Sequence, residues 1–307
     1  MEEGKRYNSF VGYYKEKYGE RLQKLVIDAG FTCPNRDGTV GRGGCSYCDN
    51  AAFHPSYSRP DKPISQQIDE GIEFHRVRYP RAQKYLAYFQ SYSNTYAPLE
   101  HLKQLYGEAL SHHAICGIVI GTRPDCVDEE KLDYIASLPG VNRLELGIES
   151  CYDTTLERIG RGHDFACAER AVRLSAECGI ETGAHFILGL PGETREMLLE
   201  QCRLINALPL HSVKFHQLQL VKGTRMEKEF DQNPAEFLRL SLPDYIDLIV
   251  DILERLRPDL FIERIAGEVP PRFVRETQWG LIRNVEILRL LDARLEERDT
   301  FQGRLYE

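Results

Sequence analysis

The chain has 307 residues, 42% of them apolar and 10% aromatic, with nine cysteines and 39 basic against 47 acidic side chains. That size and composition suit a soluble globular protein, either one large α/β barrel or two ordinary domains with a sizeable core. The net charge of −8 excludes nucleic-acid binding by bulk electrostatics, so any such binding has to use a local patch.

Residues 1–20 form a charged segment rich in tyrosine, without the apolar core of a signal peptide. No run of eighteen apolar residues follows, so no helix is expected to span a membrane. A cytoplasmic location is expected, where cysteines serve as metal ligands or free thiols more often than as disulfides. From residue 21 a short apolar strand followed by a helical stretch recurs, the pattern of a parallel sheet with crossover helices. Strands are predicted at Leu22–Ile27, Tyr85–Gln90, Gly117–Thr122, Arg143–Glu149, Thr182–Leu188 and Ser212–Val221. Helices are predicted at Ile64–Arg78, Leu99–His113, Glu129–Ser137, Phe165–Cys178 and Arg195–Leu208. Six such units, over 21–240, make a partial (β/α)6 TIM-like barrel, whose site belongs at the C-terminal ends of the strands. Residues 241–307 read as a helical C-terminal extension packed on the barrel: an amphipathic helix over 243–256, a possible final strand in IERIAGE, and a charged helix from Leu281 to Arg298.

Alternation along two strands gives the facing. Leu144, Leu146 and Ile148 point outward and leave Glu145, Gly147 and Glu149 inside; Ala184, Phe186 and Leu188 point outward and leave His185, Ile187 and Gly189 inside. Buried charge is costly unless paired, so this interior reads as a wet, ligand-bearing lumen.

The chemistry centres on CPNRDGTVGRGGCSYC, residues 33–48, which follows the first strand. Cys33 and Cys45 are separated by eleven residues, Cys45 and Cys48 by two. Three thiolates on one short loop suit an iron–sulfur cluster or zinc. Gly41, Gly43 and Gly44 let the backbone wrap closely. Cluster sites usually take four cysteines, so three leave one iron open for another ligand. The alternative is a structural zinc site of Cys33, Cys45, Cys48 and His54. Cys116, Cys126, Cys151, Cys167, Cys178 and Cys202 lack ligand spacing and read as ordinary thiols.

With HFILGLPGET at the fifth strand, these motifs resemble the radical S-adenosylmethionine (SAM) superfamily, and within it the YhcC/YtqA-like group related to the Elongator catalytic subunit. The resemblance covers about residues 20–265. It implies that Cys33, Cys45 and Cys48 hold a [4Fe–4S] cluster whose open iron binds SAM. It further implies that one electron, from a donor such as flavodoxin or ferredoxin, breaks SAM into methionine and a 5′-deoxyadenosyl radical. Tyr47 matches the aromatic position near adenine, though loop packing explains it equally. The Gly-Gly-Glu segment usual after the second strand is replaced here by FQSYSNTY, which puts Gln90, Ser91 and Tyr92 at the SAM amine. Glu149 and Ser150 match the position that meets the ribose or amino-acid part of SAM. Arg161 stands where a carboxylate ligand is expected, with a surface salt bridge as the bland reading, and Ile187 where an apolar side chain packs on adenine.

Thr122, Arg123, His185, Lys214 and His216 are candidate substrate contacts. Two basic stretches bear on nucleic acid. Lys5–Lys24 interleaves six basic residues with four tyrosines and a phenylalanine, and His75–Lys84 carries Arg76, Arg78 and Arg81 without an acid. The bland reading is a solvated face with aromatics folded beneath the barrel. By analogy with the Elongator relatives, the substrate implied is tRNA. The chemistry implied is that of wobble-uridine side chains, such as conversion of 5-carboxymethylaminomethyluridine towards 5-aminomethyluridine. A small-molecule or protein substrate is the second reading, and a non-catalytic zinc or iron–sulfur protein the third.

Overall fold

The computed structural model describes residues 4–49, 54–77, 79 and 82–307. Seven strands form one sheet in sequence order with every neighbouring pair parallel: β1 (Leu22–Ile27), β2 (Lys84–Phe89), β3 (Ile115–Thr122), β4 (Val141–Glu149), β5 (Glu181–Leu188), β6 (Ser212–Gln217) and β7 (Phe261–Arg264). The helices are, in chain order, α1 (Phe10–Tyr18), α2 (Pro34–Asp37), α3 (Ile64–Arg76), α4 (Leu99–Ser111), α5 (Glu129–Ser137), α6 (Asp153–Arg158), α7 (Phe165–Glu177), α8 (Arg195–Asn206), α9 (Arg225–Gln232), α10 (Leu242–Arg255) and α11 (Asn284–Glu297). Parallel neighbours need crossovers, which α3, α4, α5, α7, α8 and α10 supply. Asp128, Asp164 and Thr194 cap α5, α7 and α8 by accepting from the backbone N–H three residues on.

The sheet curls into a half-barrel. In a flat sheet the six steps from β1 to β7 would separate those strands by about 29 Å. Yet Lys24 on β1 bonds both Glu145 on β4 and Glu263 on β7. The expected facing holds on β4 and β5: Leu144, Leu146, Ile148, Ala184, Phe186 and Leu188 are buried in the core under the helices, while Glu145, His185 and Ile187 line the lumen.

Two expectations change in detail. The sheet has a seventh strand beyond the six units, supplied by the stretch read as a possible final strand. β6 stops at Gln217, not Val221, because the chain then leaves the sheet. Val221 pairs instead with Val274 in an isolated antiparallel bridge, and Arg275 N donates to Leu220 O at 2.8 Å. The C-terminal segment thereby folds over the mouth of the half-barrel.

The opposite, N-terminal end of the strands is closed by α1. Phe10 and Tyr14 pack with Leu22, Leu86, Tyr88, Val119 and Val141 inside the barrel, and the Arg143 guanidinium lies 4.2 Å from the centre of the Phe10 ring. This overturns the reading of Lys5–Lys24 as a phosphate grip. Phe10 and Tyr14 are the barrel plug, and Lys5, Arg6, Lys17 and Lys24 pair with Asp292, Asp299, Glu181 and Glu145. The described residues of the second basic stretch, 75–77, 79 and 82–84, belong to the connection from α3 to β2, at this same end. Arg76 there pairs with Glu73 at 2.9 Å; Arg78 and Arg81 lie outside the described residues. Phe10→Ala is expected to cost about 3 kcal/mol, the usual loss for a buried aromatic, read as a lowered urea midpoint. An unchanged midpoint would refute the plug.

Candidate active site at the barrel mouth

The cysteine loop is shaped by its own backbone bonds. Cys33 starts α2, with Pro34 in the first turn where its missing N–H costs nothing. The Cys33 carbonyl accepts from Arg36 N at 2.8 Å and Asp37 N at 3.2 Å. Gly38 ends α2 with φ 99°, and the chain doubles back so that Val40 N and Gly41 N both donate to Pro34 O. Gly41 is required here, since a Cβ would stand 2.1 Å from Asn35 Oδ1. Cys48 N donates to Cys45 O at 3.1 Å, closing the turn that brings the last two thiols together.

Two guanidinium groups flank the sulfurs. Arg36 Nη2 lies 3.7 Å from Cys48 Sγ, and Arg161 Nη1 lies 3.5 Å from Cys45 Sγ. Neighbouring cations favour thiolate, the form that binds metal. Burial first, then the Cys45 thiol, hold the Cys48 thiol above its ordinary value, and Arg36 offsets this only in part. Asn35 Nδ2 also reaches Cys45 Sγ at 3.5 Å.

Cys33, Cys45 and Cys48 all line one cavity of about 240 Å³, together with Gln90, Glu149 and Ile187. Tyr47, Thr122, Arg123, Arg161, His185 and His216 complete the predicted residues found on its wall. Three predicted residues are not there. Ser91 is buried with its hydroxyl 2.9 Å from His54 Nε2. Ser150 is buried and donates to Glu193 at 2.7 Å. Lys214 is buried and spends its ammonium on Glu145 and Glu263. In each case the side chain points away from the lumen or is already paired.

His54 faces Ser91 and, at 3.4 Å, Asp28. Among the described residues no three His, Cys, Asp or Glu side chains, the three cysteines included, gather closely enough for a single ion.

The wall stores backbone strain. Glu149 has φ 75° and Tyr92 φ 61°, two of the three positive-φ non-glycine residues described, and both line the cavity. Such conformations cost roughly 1–3 kcal/mol each and cluster at functional sites. The β4–β5 register shifts at Gly147/Glu149, a bulge that re-aims Glu149 towards Arg161, 3.8 Å away. Arg123 is held at two points by Asp125, at 2.8 and 2.7 Å, leaving its buried Nη1 without a partner.

The lumen floor is a paired ionic network rather than a wet, open one. The Glu145 carboxylate takes Lys24 and Lys214 at 2.5 Å each, Tyr88 at 2.7 Å and His185 at 2.9 Å. Burial opposes its charge, but Lys214, Lys24 and His185 outweigh burial and hold the carboxyl well below the usual carboxylate range. Lys24, Tyr88, Glu263 and Glu193 were not singled out from sequence. Lys24 and Tyr88 carried a usable signal, each sitting at an alternate position of an otherwise apolar strand.

With this geometry in place, family comparison is decisive. Residues 33–205 match the radical SAM superfamily and residues 210–297 the radical SAM C-terminal domain. The chain belongs to the radical SAM superfamily. It is a radical SAM enzyme. It is 36% identical to the uncharacterized protein YtqA of Bacillus subtilis over 99% of this chain and 94% of that protein. It is 35% identical to protein YhcC of Escherichia coli over 87% of this chain and 85% of that protein. A tRNA uridine(34) acetyltransferase of Dehalococcoides mccartyi is 26% identical over 53% of this chain and 36% of its own length. The Elp3 structure of Methanocaldococcus infernus superposes with a TM-score of 0.69 at 17% identity, covering 92% of this chain and 64% of that one, and shares the fold. Radical SAM membership implies an iron–sulfur cluster and SAM, and a wall of three thiols flanked by two guanidinium groups is a donor set that fits them. Among the described residues no helix is long and apolar enough to cross a membrane.

Two outcomes follow from these contacts. Because His54 is turned to Ser91 and Asp28, His54→Ala should leave iron bound per chain after anaerobic reconstitution unchanged; loss of metal would restore the zinc reading. Burial raises the Glu193 carboxyl to about 7. Its folded value therefore lies above its unfolded one, and stability is lost as pH rises from about 4.5 to 7. Glu193→Gln lacks this titration, so its stability relative to the natural protein should rise by roughly 2–3 kcal/mol between pH 5 and pH 8. A pH-independent difference in denaturation free energy would contradict this.

Proposed function

We propose that Cys33, Cys45 and Cys48 hold a [4Fe–4S] cluster with one iron open to SAM, and that the enzyme modifies a wobble-uridine side chain of tRNA. The observation that carries the first part is the presence of all three thiols on one cavity wall with Gln90, Glu149 and Ile187. Held by these three thiols, a cluster would supply, with an electron from a flavodoxin- or ferredoxin-type donor, the reductive cleavage of SAM to methionine and a 5′-deoxyadenosyl radical.

The chain's own residues bind and orient. Arg36 and Arg161 set guanidinium groups against Cys48 Sγ and Cys45 Sγ. Arg161 and the free Nη1 of Arg123 suit carboxylate or phosphate, for which guanidinium groups form paired hydrogen bonds. Tyr47 and Ile187 offer apolar surface to a nucleoside, and the C-terminal segment narrows the mouth and limits water. Glu149 gives a hydrogen-bond acceptor held in place by the bulge.

The tRNA part is supported by two findings. One relative is named a tRNA uridine(34) acetyltransferase, and another, human Elongator complex protein 3, is 25% identical over 60% of this chain and 34% of its own length. In addition, a groove of about 410 Å³ continues from the cavity through Gln217, Gln219, Gly267 and Val269. It is lined further out by Trp279 and Arg283. A substrate larger than the cavity itself therefore has a path to it. The tRNA contact this reading calls for is at this rim, where Arg272 and Arg283 are exposed.

Nucleoside profiling of tRNA from a deletion strain tests the proposal. The carboxymethylaminomethyl form should accumulate at the expense of the aminomethyl form, and a Cys45→Ala gene should fail to restore it. An unchanged profile would contradict the tRNA reading.

A further inference from the structure

The floor of the cavity carries chemistry that cluster and SAM binding leave unused. Glu145 sits one inward-facing position below Gly147 on β4, about 7 Å deeper into the lumen. Its side chain is fully buried and fixed by four partners from four other strands: Lys24 on β1, Tyr88 on β2, His185 on β5 and Lys214 on β6. Glu263 on β7 takes both lysines as well. Two ammonium groups thus match two carboxylates, and neither is left for a ligand. Tyr88, Glu145 and His185 of this network line the cavity, and of the three His185 is the most open, with 22% of its side chain exposed. A carboxylate only accepts, so His185 Nε2 carries the hydrogen of the 2.9 Å bond. Nδ1 has no partner among the described residues and is not buried. His216 faces it, ring centres 5.6 Å apart. Burial, then Arg264, His185 and Lys214, hold His216 well below the usual imidazole range, hence uncharged. The floor therefore presents ring nitrogens that accept, backed by a carboxylate.

We infer that His185 and Glu145 form an acid–base pair on the lumen floor that takes a proton from a protonated amine of the substrate. The N–H electron pair stays on the substrate nitrogen, the proton passes to His185 Nδ1, and Glu145 stabilises the imidazolium. His185 touches substrate; Glu145 is a positioning residue. The substrate class rests on the tRNA reading above, since a carboxymethylaminomethyl arm carries a secondary amine that is protonated at neutral pH. General acid–base groups contribute about 100-fold or more to rate.

Two measurements test the pair. Nitrogen-15 NMR of labelled histidine needs no substrate: His185 should show a protonated Nε2 and a titrating Nδ1, and Glu145→Gln should lower its titration midpoint. A bare Nε2, or a midpoint unmoved in Glu145→Gln, would overturn the pair whatever the substrate is. With tRNA, His185→Gln should lower product formation about 100-fold while 5′-deoxyadenosine release and bound iron persist. Glu145→Gln should move the acid limb of the rate profile to lower pH, because loss of the carboxylate destabilises the imidazolium. Lys24, Tyr88, His216, Lys214 and Glu263 also face this site and remain unchanged in both variants. Natural-level product from His185→Gln would overturn the proposal, whereas a natural enzyme inert on tRNA would sink the tRNA reading and leave the NMR result to decide the pair. If Glu145→Gln fails to fold, His185→Gln decides alone.

Discussion

The half-barrel is held to its curvature by charge buried at its centre. Lys24, Glu145, Lys214 and Glu263 come from β1, β4, β6 and β7 and meet in the lumen. Removing four charges from water costs several kcal/mol per ion, which is recovered only when geometry and additional hydrogen bonds are good. Tyr88 and His185 supply those bonds. An apolar filling would stabilise the sheet as well, so the network is better understood through what it excludes. It keeps the lumen from collapsing into an apolar core while the α1 plug seals the end below, and an enclosed cavity is left open at the mouth only.

That cavity is bounded by residues under constraint. Gly41 is crowded against Asn35, Glu149 and Tyr92 sit in the left-handed region, and Arg36 and Arg161 lie against two of the three sulfurs. The left-handed backbone at Glu149 and Tyr92 costs stability, and these two residues share the wall with Arg36 and Arg161. Strain distributed in this way is what a preorganised site needs, because groups that must not move when a ligand binds are held by the fold beforehand.

Much of this was legible in the sequence where a period or a spacing carries physical meaning. The two-residue alternation on β4 and β5 located Glu145 and His185 inside, since an apolar face has to meet the helices. The Cys33, Cys45 and Cys48 spacing located the thiol wall. Two kinds of residue were misread. Ser91 and Ser150 each follow a wall residue, but their hydroxyls are taken by His54 and Glu193 instead of facing the cavity. The aromatic and basic run of Lys5–Lys24 has the same composition whether it grips phosphate or plugs a barrel. Only the acids that pair with it, Asp292, Asp299, Glu181 and Glu145, settle the matter, and these lie more than a hundred residues away. The partners of Glu145 are equally long-range, so a carboxylate that looked free for a ligand proved to be spent.

The central claim is that three thiols on one wall leave a fourth position for a ligand that is not protein. Mössbauer spectroscopy of the anaerobically reconstituted, iron-57-labelled protein, with and without SAM, addresses it directly. One iron of four should change its isomer shift when SAM is added, while the other three hold theirs. Four equivalent irons indifferent to SAM, or a colourless protein that retains zinc, would contradict the account.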